Sequence, residues 1–252
     1  MVQIRKNNSK AKLAAGEVVT ALASADDPEL IDFLGPAGFD AVWIEAEHGP
    51  VDHAQMGNLT RACDLWGMNS IVRVGWAEPN IIYRALDRGA QGVCVPHVNT
   101  RQEAELIVDS AKYVPVGHRG MSPNRQGYAV GDYLERANDE TMIVVLIEDI
   151  KAVQNLDEIL TVDHIDVFHV ASSDLAQSMG LLGQQDSPQV RKIVDETVAR
   201  ILAAGRTAGT TVTAQTVGPY IDAGVRFFYY SIYHALMAAA TGFLDTVKAA
   251  KR

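Results

Sequence analysis

The chain has 252 residues, 48% of them apolar and 21% charged, with a formal net charge of -9; this is the composition of a folded domain, and roughly 250 residues suits one large α/β unit. The acidic balance and the lack of a basic stripe exclude the phosphate-neutralising surface of a nucleic-acid binder. No apolar run approaches the ~20 residues of a membrane span, and the leading MVQIRKNNSKAK has no signal-peptide core, so a cytosolic protein is expected. Cys63 and Cys94 lack metal-ligand spacing and read as buried fillers.

From Val18 onward, short β-branched or aromatic runs alternate with amphipathic stretches, the pattern of repeated β-α units around a parallel sheet. Strands are expected at Val18–Ala23, Ala41–Glu45, Ser70–Val74, Gly92–Val95, Met142–Glu148, Val167–Val170, Thr207–Thr211 and Phe227–Tyr230. Helix starts are marked by Asp27-Pro28, by Asp52, by Pro79 and by Thr100 with Glu103 as a capping box; Gly67, Gly89, Gly205 and Gly224 mark stops. Eight such units fit a closed (β/α)8 TIM barrel or an open doubly wound sheet. No G-x-G-x-x-G follows the first strand, which favours the barrel. No linker composition interrupts residues 1–252, so a single domain is expected. The stretch from Val114 to Met142, with GHRGMSPNRQGYAVGDY inside it, is too long for a simple connection. It reads equally well as a border of the active site or as a surface excursion.

In a barrel the chemistry sits where strands end, at their C-terminal rim. Polar residues leaving apolar strands are therefore the candidates: Glu45, Glu47 and His48 after the second strand, Arg73 after the third, Pro96-His97 after the fourth, Glu148-Asp149 after the fifth, and Ser172-Ser173-Asp174 after the sixth. Glu148 and Asp174, on neighbouring strands, either converge on one hard divalent cation or act as helix caps and ion-pair partners. Arg73 either presents a guanidinium fork to a carboxylate or enolate oxygen, or makes a structural ion pair at the rim. Glu45, Glu47 and His48 form an acid-base cluster in which a carboxylate can hold the imidazole while the imidazole moves a proton. His53, His164, His169 and His234 read as structural, whereas His97 and His118 stay open. Schiff-base chemistry lacks a strand-end lysine, since Lys151 and Lys192 fall in helical stretches, and no G-x-S-x-G marks a nucleophilic serine.

Taken in order, several pieces form one pattern: Gly38-Phe39-Asp40 leading to Glu47-His48-Gly49-Pro50, then Val72-Arg73, Leu86-Asp87-Arg88-Gly89-Ala90-Gln91-Gly92, Val95-Pro96, Arg119-Gly120, Glu148 and Asp174-Leu175. This set resembles the HpcH/HpaI family of class II, pyruvate-dependent hydroxy-keto-acid aldolases, over nearly the whole chain from about Gly16. The resemblance implies a (β/α)8 barrel assembled as a homo-oligomer, usually a hexamer built as a trimer of dimers that exchange C-terminal helices. It implies Mg2+, Mn2+ or Co2+ held by Glu148 and Asp174, with a keto acid on the metal and an aldehyde as the second product. Arg73 then stabilises the enolate, His48 takes part in proton transfer, and Glu45 and Asp87 join them as catalytic residues.

Three positions depart from the family pattern. Glu45 stands where Asp is common, which changes the reach of a dyad with His48. Leu146 stands where Gln is frequent two residues before the metal Glu, so a substrate-binding position has lost its hydrogen bond. Ala171-Ser172-Ser173 replaces Gly-Pro-Ala ahead of Asp174, leaving Ser172 and Ser173 to offer amides or hydroxyls to the keto-acid carboxylate. The last strand, Tyr229-Tyr230-Ser231-Ile232-Tyr233, is also bulkier than the family pattern. The leading expectation is reversible cleavage of a 4-hydroxy-2-keto acid to pyruvate and an aldehyde. Its rivals are oxaloacetate decarboxylation or CoA-ester lysis through the same enolate, and a non-catalytic keto-acid-binding barrel.

Overall fold

The computed structural model describes residues 2–122 and 124–250. Its strands are β1 (Val19–Ala23), β2 (Ala41–Glu45), β3 (Asn69–Arg73), β4 (Gly92–Val95), β5 (Met142–Ile147), β6 (Val167–Val170), β7 (Ala208–Thr211) and β8 (Phe227–Ser231). They run parallel and close in sequence order, with β8 pairing back onto β1. The expected (β/α)8 barrel is therefore the observed fold, each strand lying within a residue or two of its expected bounds. Among the described residues no helix is long and apolar enough to cross a membrane.

Both faces of each strand are buried, as a parallel sheet covered by helices requires. Outward residues such as Leu22, Val42, Ile44, Val72, Val145 and Phe168 pack under the helix ring. Inward residues, including Ala21, Trp43, Ile71, Cys94, Val144, Leu146, Val167 and Phe227, fill the barrel as a separate core. Cys63 and Cys94 are both free and buried, as expected. The helix caps read from sequence form: Asp27 accepts from the Glu29 and Leu30 amides, and Thr100 with Glu103 closes a capping box.

The N-terminal rim is closed by the leading segment, whose helix Asn8–Ala14 was not anticipated because it is too short for a periodic signal. Ser9 donates from both its amide and its hydroxyl to Asn69 Oδ1 (2.8 and 2.9 Å), and Asn7 donates to the Gln91 carbonyl at 3.1 Å. The long stretch between β4 and β5 also belongs to this end. Arg119 bonds Asp87, Arg125 bonds Asp64 and Thr60, and Gln126 bonds the Gly89 carbonyl at 2.7 Å. These partners terminate helices that descend from the rim, so within the chain this stretch lies away from the C-terminal mouth. It does not border this chain's own mouth, and it packs over the N-terminal rim with Arg119, Asn124 and Gln126 buried.

Candidate active site

Strand ends bring the candidate residues together at the C-terminal mouth. Glu45 and Arg73 are register partners on β2 and β3. Arg73 Nε donates to Glu45 Oε2 at 2.6 Å, and its Nη1 lies 3.1 Å from Glu47 Oε2. The guanidinium is thus clamped by two carboxylates, which hold it further above the ordinary arginine range despite its burial. Nη2 has no hydrogen bond to the described residues and remains for another acceptor.

Glu45 does not hold the imidazole of His48. Its second oxygen, Oε1, accepts from the amides of Glu47 (2.9 Å) and His48 (3.0 Å), folding the Ala46–Gly49 loop back onto its own side chain. Gly49 is required there: a Cβ would sit 2.6 Å from the Glu45 carbonyl oxygen and 2.9 Å from its Cγ. The longer reach of Glu, compared with Asp, is what lets one carboxylate serve both that loop and Arg73. The expected Glu45–His48 dyad is accordingly corrected. The His48 ring is exposed, and its Nε2 faces Glu47 Oε2 at 3.8 Å. Burial raises the Glu47 carboxyl above its usual range, opposed mainly by Arg73.

Glu148 follows β5 and is 1% exposed. Its Oε1 accepts from the His97 amide at 2.8 Å, whereas Oε2 is buried without a hydrogen-bond partner. Desolvation pushes this carboxyl up to about 7, offset in part by His97, while Asp174 and Glu47 raise it further. Asp174 lies in the first turn of the helix Ser172–Ser178, on the neighbouring strand's exit. Ser172 and Ser173 open that helix, and no side chain caps it; its leading amides lack helical acceptors. Among the described residues no group of three or more His, Cys, Asp or Glu side chains is arranged to hold a metal. The chain offers two carboxylates, a donor set that suits a hard cation retaining water or substrate oxygens. The orphaned, desolvated Oε2 of Glu148 fits such a cation.

His97, left open in the sequence, is a central residue. It adopts a left-handed backbone (φ 54°), which turns its amide onto Glu148. Its Nδ1 lies 3.0 Å from Asp149 Oδ2 and its Nε2 lies 4.0 Å from Glu47 Oε1, and Trp76 packs over the ring at 6.0 Å. Its place at a strand exit was the available signal. Glu47, expected in the acid-base cluster with His48, and Asp149, seen in the sequence without an assigned role, complete this network.

Two expected site residues lie elsewhere. Asp87 ends the helix Pro79–Asp87 and binds Arg119 Nη2 at 2.7 Å on the N-terminal rim. Within one chain it does not reach the mouth, because a helix following a parallel strand carries its own end back to the opposite rim. Leu146 is buried inside the barrel below Glu148, in register with His169. It forms part of the floor and has no free face toward the mouth. His169 is fully enclosed beside Trp43 and Phe227, and burial drives its pKa down to about 3, so it stays neutral. Its structural reading stands.

Comparison with known proteins completes the picture. The model of the HpcH/HpaI aldolase/citrate lyase family matches residues 21–226. A hydroxypyruvate/pyruvate aldolase of Roseobacter denitrificans is 34% identical over 232 residues, 88% of this chain and 89% of that one. A 5-keto-4-deoxy-D-glucarate aldolase of Escherichia coli is 34% identical over 226 residues, covering 88% of each. Among solved structures, an HpcH/HpaI aldolase/citrate lyase family protein from Burkholderia cenocepacia superposes with a TM-score of 0.89 at 28% identity, over 96% of this chain and 100% of that one. A barrel with this rim, matched along nearly its whole length, belongs to the HpcH/HpaI aldolase/citrate lyase family.

Proposed function

We propose that the chain is a divalent-cation-dependent aldolase that cleaves a 4-hydroxy-2-keto acid reversibly to pyruvate and an aldehyde. The observation that carries this reading is Glu148: a carboxylate at the rim of the barrel, buried, with one oxygen unpartnered and Asp174 close by. The family membership and the two aldolase relatives support the same chemistry.

In this reading Glu148 and Asp174 hold Mg2+, Mn2+ or Co2+, which when bound supplies Lewis-acid polarisation of the keto group. Arg73 offers Nη2 to the enolate oxygen; with Nε and Nη1 tied to Glu45 and Glu47, it needs no reorganisation when that charge develops. Glu45 positions Arg73 and the loop that carries His48. His48, exposed and facing Glu47, passes protons between solvent and the reacting centre. Ser172 and Ser173 present amides to the keto-acid carboxylate from the Asp174 side. Leu146 shapes the floor without bonding substrate.

Purified protein should exchange the methyl protons of pyruvate for deuterium when Mg2+, Mn2+ or Co2+ is added and lose this activity on chelation. No exchange with any of the three over a wide range of pyruvate concentrations would sink the reading. Products from oxaloacetate, compared with those from a hydroxy-keto acid, separate aldol cleavage from decarboxylation.

The C-terminal helix Ile232–Ala250 points to the assembly. Leu236 (55% exposed), Met237, Phe243 (68%) and Leu244 all face outward, an apolar surface larger than a lone barrel leaves in water. A second copy covers it in the proposed oligomer, a hexamer built as a trimer of dimers with exchanged helices.

A further inference from the structure

The aldolase reading leaves unused the aromatic strand end that stood out in the sequence. Around the mouth, the side chains fall into two halves that meet at Arg73. One half comprises Glu148 and its electrostatic neighbours His97, Asp174 and Glu47. The other is built from β8, β1 and β2: Tyr229, whose neighbours are Ser24, Arg73, Glu45 and Asp26. Arg73 reaches both, through Glu47 on one side and Glu45 on the other.

Tyr229 is held rigidly in its half. β8 pairs it with Ala21 on β1 and Thr211 on β7. Its ring meets Trp43 edge-on at 5.2 Å and 88° and lies 6.1 Å from His169. Trp43 is 1% exposed and cannot move aside. The phenol therefore stands on an aromatic floor, with Ser24 as its hydrogen-bonding neighbour and the carboxylates of Asp26 and Glu45 nearby. Ionised carboxylates only accept hydrogen bonds. An uncharged oxygen entering this half finds its donors in the Tyr229 phenol, the Ser24 hydroxyl and Arg73. Burial raises the phenol above the ordinary tyrosine range, so it keeps its proton.

A keto acid anchored on the Glu148 side, with its keto oxygen toward Arg73, extends its remaining carbons into the Tyr229 half. We propose that Tyr229 is a substrate-positioning residue for the part of the substrate that leaves as the aldehyde, its phenol donating a hydrogen bond to the C4 oxygen. In cleavage the C4 hydroxyl gives its proton to the His48 side and the C3–C4 bond breaks. Its electron pair passes to the keto-acid half, which takes up a proton at C3 to become pyruvate; the C4 oxygen becomes the aldehyde carbonyl. Tyr229 neither gains nor loses a proton. The assignment rests on the aldolase reading and adds to it the group that recognises the electrophile.

The test is Tyr229→Phe, which keeps the ring against Trp43 and removes only the hydroxyl. Two reactions are measured on the Mn2+-loaded protein: deuterium exchange into pyruvate, which needs only the Glu148 half, and cleavage of 4-hydroxy-2-oxopentanoate, which needs both. The expected result is exchange within twofold of the parent, and a kcat/KM for cleavage at least tenfold lower with KM raised. Ser24→Ala should lower cleavage in the same direction by less. Cleavage unchanged in Y229F overturns the assignment, as does a parallel loss of exchange and cleavage. A parent protein that neither exchanges nor cleaves overturns the aldolase reading and this assignment with it; one that exchanges but gives an unimpaired Y229F overturns this assignment alone.

Discussion

Replacing Glu148 by Gln separates what this side chain costs the fold from what it gives the reaction. Gln keeps an oxygen to accept from the His97 amide, now 2.8 Å from Oε1, and removes the charge. In the native protein without metal, the Glu148 carboxyl is raised from 4.5 to about 7, chiefly by desolvation. At ~1.4 kcal/mol per pH unit, this shift corresponds to a destabilisation of roughly 3 kcal/mol once the group is ionised. The sign follows from the order of titration. Below pH 4.5 the group is protonated in both states and contributes nothing. Between 4.5 and about 7 the unfolded chain has released the proton while the native protein retains it, so stability falls as pH rises. Above about 7 the loss is complete and constant.

Urea denaturation of metal-free parent and E148Q at pH 4.5, 6 and 8 measures this difference. The variant should be near parity at pH 4.5 and more stable by about 1–3 kcal/mol at pH 8, yet inactive in pyruvate exchange. Saturating Mn2+ should raise the stability of the parent and leave E148Q unchanged. If E148Q is the less stable protein at pH 8 without metal, Glu148 is not an uncompensated buried charge, and the reasoning that places a cation there fails.

The same titration makes metal binding pH-dependent: calorimetric Mn2+ affinity should rise severalfold per pH unit up to about 7 and flatten above it, as Glu148 sheds its proton. Arg73→Lys removes the fork that engages Glu45 and Glu47; steady-state kinetics should show kcat reduced about a hundredfold, the order expected for losing one preorganised oxyanion donor. Gly49→Ala forces a Cβ to within 2.6 Å of the Glu45 carbonyl unless the loop moves. Cleavage should fall at least tenfold with the far-UV circular dichroism unchanged, and full activity would show that the loop carrying His48 has no tight geometric requirement. Leu236→Glu combined with Phe243→Glu places charges on the exposed apolar face of the C-terminal helix, and light scattering should report a smaller assembly than the parent forms.

The barrel was legible because its signals are local and repeat. Apolar strands of four to six residues, Asp27, Asp52 and Thr100 at helix starts and Gly67, Gly89, Gly205 and Gly224 just before return strands all act within a few residues of themselves. The rim was legible in part for a related reason: strand ends point to one side of the barrel, so Arg73, Glu148 and the Glu45–His48 run had to share a neighbourhood. Which partner each side chain takes was not legible. Glu45 and Glu47 are two residues apart, and sequence does not tell that the first turns inward to Arg73 and the loop amides while the second faces His48 and His97. His97 depends on a left-handed backbone that no glycine announces. Asp87 shows the opposite case within one chain. Its motif is conspicuous in the sequence, but a helix of nine residues carries it to the far rim.

The electrostatics of the mouth tie these details to one requirement. Asp26, Glu45, Glu47, Glu148, Asp149 and Asp174 gather around a single arginine and two histidines. Asp26, Glu47 and Glu148 all have carboxyls raised above their usual range, burial being the first cause in each. Arg73 balances Glu45 and Glu47, and the His97 ring lies against Asp149. That leaves Glu148 and Asp174 as a pair of carboxylates that only the His97 ring faces, 3.6 Å from Glu148 Oε1, while Glu148 Oε2 is buried without a hydrogen-bond partner. A protein selected only for stability would fill such a position with an apolar residue, since an unpaired buried carboxylate costs several kcal/mol. Its presence beside a rigid arginine fits the divalent cation of the proposed function, for which Glu148 and Asp174 would supply the protein's oxygens.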